Sequence, residues 1–166
     1  MLCRSEADAL AALSRVRAWT VENGLTLHPE KTRVVEAAQA GGFDFLGYHF
    51  ERGRRWPRAK SLKKFRDTIR AKTKRTNGHS LKTIIADVNR SARGWYEYFK
   101  HSYRTTFPYV DGWIRKRLRS ILRRRMKKKG CGRGSDHQRW PNAFFAAQGL
   151  YSLSMAHARD RQSLRR

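Results

Sequence analysis

A stripe of apolar residues between positions 81 and 99 is the feature that most constrains the fold. Its members recur every three or four residues over about five turns: Leu81, Ile84, Ile85, Val88, Ala92, Trp95, Tyr96 and Phe99. This spacing is typical of one buried face of an amphipathic helix. Ser80 is suited to cap the first turn, because its side chain can accept a hydrogen bond from a free backbone amide. We therefore predict a long helix that begins after Ser80 and packs into a helical bundle.

Two further helices are predicted on either side of this one. Leu62, Phe65 and Ile69 have helical spacing. A later helix begins around Pro108 and carries the apolar positions Val110, Trp113, Ile114, Leu118, Ile121 and Leu122. From residue 115 to 129, ten of the fifteen side chains are basic and none is acidic. Such a helix can bury one face and present a dense basic face to a polyanion.

The first fifty residues predict a different kind of structure. Ser5 can cap a helix that ends at Asn23-Gly24. Three β-prone pieces follow: "LTL", "RVVE" and "FDFLGYHFE". The predicted fold class is α+β, with a small helix and a three-stranded part followed by a mainly α-helical bundle.

The net charge changes abruptly near residue 51. Residues 1–50 carry five basic and six acidic side chains, whereas residues 51–166 carry 33 basic and seven acidic ones, a net charge of +26. This step predicts two units, one that packs and one that binds phosphates. No apolar run has the length of a membrane span, and the two cysteines form no paired motif. We predict a cytoplasmic protein without disulfides.

The order of the motifs carries a resemblance to a known family. "GLTLHPEKT", "FDFLGYHF", "GWYEYF", "VDGWIRKRLRSILRRR" and "RWPNAFFAAQGLYSL" follow one another in this chain. This succession resembles the C-terminal part of a group II intron-encoded reverse transcriptase, also called a maturase. The resemblance implies that residues 1–55 are the end of the polymerase palm. It further implies that residues 56–155 are the thumb, or maturase-specific X domain, and that residues 156–166 form a basic tail.

The resemblance also implies a function and its partners. The expected function is binding of group II intron RNA to assist splicing and mobility. A DNA target or primer and a complementing palm polypeptide are further expected partners. The expected nucleic-acid contacts are Lys31, Lys60, Lys63, Lys64, Arg115, Arg119, Arg123 and Lys127. A primer-grip-like hairpin is expected at Phe45, Leu46, Gly47 and Tyr48.

Simpler explanations exist for several of these residues. Lys31 matches a lysine near the incoming triphosphate in the family, but it can also be a solvated turn residue. Gly47 is consistent with a bulge or a close backbone approach, and sheet packing explains Phe45 equally well. Trp95 lies on the apolar stripe, so we predict that it packs in the core. Tyr98 lies off the stripe, so we predict that its ring is exposed.

We predict neither a metal site nor a bound cofactor in this chain. Cys131, His137 and His157 lack the close paired spacing of a zinc site. In the family, the metal-binding aspartates lie just before the stretch that resembles "LCRSEADAL", and Mg²⁺ is implied for the full-length enzyme. We therefore expect a truncated protein without polymerase chemistry of its own. A fragment of an active RNA-directed DNA polymerase with a misassigned start, an inactive relic, and a basic RNA-binding protein unrelated to introns are the alternatives.

The absence of a paired aspartate motif gives a direct prediction. Two-metal phosphoryl transfer needs clustered carboxylates to hold both ions. The purified chain should therefore not extend an RNA-templated primer in the presence of Mg²⁺. Magnesium-dependent extension that survives controls for contaminating polymerase would show that the prediction is wrong.

Overall fold

The computed structural model describes residues 3–36, 40–130, 132 and 134–163. The described residues form seven helices and three strands, in this order along the chain: α1 (Glu6–Glu22), β1 (Phe43–Phe45), β2 (Tyr48–Glu51), β3 (Arg54–Pro57), α2 (Ala59–Lys72), α3 (Leu81–Phe99), α4 (Thr106–Arg125), α5 (Ser135–Arg139), α6 (Asn142–Ala147) and α7 (Leu153–Ser163). The predicted α+β class is confirmed. The chain divides into two compact units, residues 1–43 with 50–53 and residues 44–49 with 54–166.

The first unit contains α1 and very little buried surface. The predicted cap is present, since the Asp8 amide donates to the Ser5 side chain at 3.1 Å. The helix ends at Glu22 and is followed by Gly24 with φ 66°. Among its described residues only Thr20 is buried, and Trp19 is 57% exposed. The prediction that the near-neutral half is a packed unit is therefore wrong for this structure.

Two of the predicted strands in the first unit are absent. Residues 25–27 and 33–36 have no regular secondary structure. Leu25 is 54% exposed, and Val34 and Val35 are about 40% exposed. A β-prone sequence becomes a strand only when it pairs with a neighbour and packs one face. Neither piece pairs within the described residues.

The sheet is an antiparallel meander in the order β1-β2-β3. Both connections have two residues with positive φ: Leu46 and Gly47 at 45° and 79°, and Arg52 and Gly53 at 48° and 69°. These values are those of the type I′ turn, which matches the twist of the strands that it joins. The stretch "FDFLGYHFE" is therefore a hairpin and not a single strand. Strand β3 was not predicted.

The hydrophobic core lies in the second unit. The three predicted helices are present there as α2, α3 and α4 and are confirmed. All the residues of the predicted α3 stripe are buried except Leu81, which packs against the core. Trp95 stacks on Phe65, with ring centroids 4.6 Å apart, and contacts Phe99 at 5.0 Å. Ser80 caps α3 as predicted, because it accepts a hydrogen bond from the Thr83 amide at 3.1 Å. Tyr98 is 55% exposed, also as predicted.

The core also needs the segments beyond α4. Phe145 in α6 and Leu153 in α7 are fully buried. Asp111 in α4 is buried and accepts hydrogen bonds from the Leu153 amide at 3.0 Å and the Ser154 amide at 3.1 Å. A carboxylate at this place satisfies the free amides at the start of α7. The first eight residues of the predicted tail, 156–163, are accordingly part of a packed helix.

Trp95→Ala should destabilise the protein by about 3–5 kcal/mol, because it leaves a large cavity between α2 and α3. Thermal or urea unfolding followed by circular dichroism measures the loss. Trp19→Ala is the matched control: its ring is largely exposed, so the cost should stay within about 0.5 kcal/mol. Equal effects of the two substitutions would contradict the assignment of the core.

Candidate nucleic-acid interface

The predicted contacts on α2 lie on the protein surface. Lys60, Lys63 and Lys64 are all exposed. Their side chains can bury their methylene stems along the helix and extend the ammonium groups toward a phosphate backbone. Because these three lysines are exposed, they are available to contact nucleic acid, as the prediction requires.

Arg119 of α4 is, in contrast, part of the core. Only 2% of the residue is exposed. Its Nε donates to the Trp140 carbonyl oxygen at 2.9 Å and its Nη2 to Asn142 Oδ1 at 3.0 Å. The guanidinium lies 5.2 Å from the centre of the Phe145 ring. Burial lowers the pKa of Arg119 from its ordinary value, and the charge of Arg115 acts in the same direction.

Arg123 is also held by the protein. Its Nε donates to the Lys129 carbonyl oxygen at 2.7 Å, and its Nη1 forms an ion pair with the buried carboxylate of Asp136 at 2.9 Å. Arg115 is half-buried, whereas Lys127 is exposed. The predicted basic ridge of Arg115, Arg119, Arg123 and Lys127 is therefore wrong as a continuous surface.

The segment after α4 explains this outcome. Trp140, Asn142 and Asp136 accept hydrogen bonds from the ridge arginines, so α5 and the start of α6 cover that face of α4. Gly132 permits the close approach, because a Cβ built there would lie 2.7 Å from Arg119 Cβ. Helical spacing showed that these arginines share one face of α4, but it did not show that α5 and α6 pack over that face. The aromatic density of "RWPNAFFAAQGLYSL" was the signal that some face had to be covered.

A third arginine of α4 holds the end of α2. Arg117 Nη2 donates to the Thr73 carbonyl oxygen at 2.8 Å, and Nε donates to Thr73 Oγ1 at 3.1 Å. The last carbonyl groups of a helix lack partners and carry partial negative charge, so a cation there is favourable. Burial, together with the charges of Arg70 and Arg75, lowers the pKa of Arg117.

A continuous basic surface lies where the loop after α2 meets the end of α4. We call it the loop patch, and its exposed members are Lys74, Arg75, Arg124, Arg125, Lys127, Lys128 and Lys129. Two hydrogen bonds join its halves: Arg75 Nη1 donates to the Gly130 carbonyl oxygen at 3.1 Å, and Arg125 Nη2 donates to the His79 carbonyl oxygen. The sequence has no Asp or Glu from 68 to 86 or from 112 to 135. The patch therefore has no neighbouring carboxylate in either segment.

The hairpin turn at residues 45–48, where a primer grip was predicted, is held against the end of α3. Tyr48 Oη donates to the Tyr98 carbonyl oxygen at 2.6 Å, and Tyr98 Oη donates to the Leu46 carbonyl oxygen at 2.8 Å. Phe45 and Leu46 are 59% and 67% exposed, so sheet packing does not explain Phe45. Gly47 is a turn residue with positive φ rather than a bulge. The hairpin presents two apolar side chains at its tip.

The remaining predicted sites lie elsewhere. Lys31 is exposed in a turn in which its amide donates to the His28 carbonyl oxygen at 3.2 Å. The ring of His157 packs on Phe107 at 4.6 Å, and burial lowers its pKa. Cys131 lies outside the described residues. Within the described residues, no group of three or more His, Cys, Asp or Glu side chains is placed to hold a metal ion.

No described helix is long and apolar enough to cross a membrane.

A helical bundle that carries a cluster of exposed cations without carboxylates in the same segments is typical of nucleic-acid-binding domains. Residues 62–140 match the family model of the group II intron maturase-specific domain. The match runs from within α2 to the residue after α5 and confirms the predicted resemblance. Domains of this family act as maturases in the splicing of group II introns. None of the curated proteins matches the chain.

The buried position of Arg119 gives a prediction that separates structure from binding. Arg119→Ala removes two hydrogen bonds and the packing on Phe145, so the free energy of unfolding should fall by about 1–3 kcal/mol. Arg124→Ala is the control, because this exposed residue should cost less than about 0.5 kcal/mol. Chemical denaturation measures both. A neutral result for Arg119→Ala would mean that its hydrogen bonds do not hold α5 and α6.

Proposed function

We propose that this protein binds folded group II intron RNA through the loop patch and the α2 lysines, and thereby assists splicing. The carboxylate-free composition of the loop patch is the observation that carries the proposal. Its cations gain no neutralising partner from their own segments, so they repel one another until a polyanion binds. RNA supplies closely spaced phosphates and gains free energy by releasing condensed counterions.

The order within the patch also supports binding of a structured RNA. Arg75 and Arg125 are fixed by hydrogen bonds to carbonyl groups of the facing segment. These bonds satisfy part of each guanidinium and leave its charge and its remaining N–H donors available for phosphate oxygens. A fixed set of cations recognises one spatial arrangement of phosphates better than a mobile one, because less side-chain entropy is lost on binding.

We propose that the domain acts within a larger reverse transcriptase assembly that serves intron mobility. In that assembly a palm on another polypeptide would supply the Mg²⁺-binding carboxylates, and a DNA target or primer would be a further partner. The near-neutral first unit supports a protein partner, since Leu10, Trp19 and Val21 of α1 are more than half exposed. Exposed apolar groups on a helix without excess charge are suited to protein contact and not to phosphate contact.

The salt dependence of RNA binding tests the role of the loop patch. Replacing Arg124, Lys127 and Lys128 by glutamine should weaken binding to intron RNA. If all three contact phosphates, the slope of log affinity against log salt concentration should decrease in magnitude by about 2 to 3. Each lost contact contributes about 0.7 to 0.9 to that slope. Fluorescence anisotropy at several salt concentrations measures both quantities. Circular dichroism should show unchanged helix content.

The matched control replaces Arg4, Arg15 and Arg17, three exposed arginines of the first unit, by glutamine. It removes the same formal charge and should change the slope much less. If both triple variants lose affinity and slope equally, binding depends on net charge alone and the loop patch is not the interface.

A further inference from the structure

Arginine and aromatic side chains alternate along a line that joins α2 to α4. The Arg66 guanidinium lies 5.2 Å from the centre of the Tyr109 ring and 5.9 Å from that of Trp113. The Arg70 guanidinium lies 5.8 Å from the Trp113 ring. We call these four residues the stacking ladder. Since Arg66 and Arg70 contact successive turns of α4 in the same order, the two helices run in the same direction here.

The ladder ends in an aromatic ring that the protein leaves largely open. Tyr109 is 61% exposed, whereas Trp113 is partly buried against the core. The Arg66 contact orients the Tyr109 ring without covering most of it. Single exposed rings are common on protein surfaces. Tyr109 differs in that the guanidinium of Arg66 is attracted to its face, which favours one orientation of the ring.

Lysines extend the two helix faces that form the ladder. Lys63 precedes Arg66 by three residues on α2, and Lys116 follows Trp113 by three residues on α4, so each lies on the same face as its neighbour. Both lysines are exposed. One carboxylate is close: Asp67 pairs with Arg70 at 2.6 Å. The surface therefore combines exposed π surface with several cations, of which one is partly neutralised.

We propose that the stacking ladder binds unpaired nucleotides of RNA, with one base stacked on Tyr109 and neighbouring phosphates on Lys63 and Lys116. In a duplex the bases are already stacked on one another, and their faces are not accessible to a protein ring. An unpaired base offers a free π face, which aromatic and guanidinium groups bind without strong sequence preference. The chemistry of the ladder thus selects single-stranded RNA.

This site is distinct from the loop patch, although it rests on the proposed RNA-binding function. Trp113 and Arg124 are eleven residues apart on α4, or about three turns of helix. The loop patch has cations and no aromatic ring, so it suits the phosphate backbone of folded RNA. The stacking ladder would hold a strand that leaves the folded region, and the two sites together would distinguish a junction from a plain duplex.

Paired probes test the proposal: a labelled oligouridylate and a blunt RNA duplex with the same number of phosphates. Tyr109→Ala should weaken oligouridylate binding by about 5- to 160-fold, the range expected for the loss of one stacked base. The same substitution should leave duplex binding within about twofold, because phosphate contacts are retained. Tyr109→Phe keeps the ring and should bind both probes as the wild type does. Since Tyr109 is exposed, thermal melting should be unchanged in both variants.

The other outcomes are decisive as well. Equal loss for both probes, or no loss for either, would overturn the ladder while leaving RNA binding in place. Polyglutamate that displaces oligouridylate as well as unlabelled oligouridylate does would identify a surface for acidic chains in general and would also overturn it. A wild-type chain that binds intron RNA but not oligouridylate would overturn the ladder alone, whereas one that binds neither would overturn the ladder together with the proposed function.

Discussion

The structure depends on arginines that donate to backbone carbonyl groups. Among the described residues of the second unit, six arginines do so: Arg55, Arg75, Arg117, Arg119, Arg123 and Arg125. A chain with 33 basic and seven acidic side chains after residue 50 has too few carboxylates to pair its cations. Carbonyl oxygens replace them as acceptors. Because the guanidinium group presents several donors in a fixed plane, one arginine can join two segments and remain charged.

This type of pairing connects stability with function. A salt bridge would satisfy the hydrogen bonds of an arginine and cancel its charge, whereas a carbonyl oxygen or an aromatic face satisfies the group and leaves the positive potential almost unchanged. Exposed lysines, such as Lys63 and Lys127, lie on the surface of this bundle. Arginine therefore joins segments of the scaffold, and lysine adds positive charge to its surface. The same sequence bias that makes the bundle difficult to stabilise makes it attractive to RNA.

Much of the fold could be predicted from local signals, and the errors share one cause. The α3 stripe, the Ser80 cap and the burial of Trp95 depend on spacing and on short-range hydrogen bonds, which the sequence displays directly. The roles of Arg119 and Arg123 depend on a segment more than ten residues later that folds over α4. The strands expected at 25–27 and 33–36 needed a pairing neighbour that no local pattern supplies. In each case the outcome depended on whether a distant segment makes contact, and local sequence preference does not show this.

The charge step near residue 51 follows from the way in which the two units bury apolar surface. The second unit has its own core, in which Ile69, Val88 and Leu118 are fully buried, so its surface is free to carry cations. The first unit buries only Thr20 among its described residues. The near-neutral charge of the first unit leaves its exposed apolar side chains suited to the protein contact that we propose. The excess positive charge of the second unit is, in turn, suited to the binding of RNA phosphates.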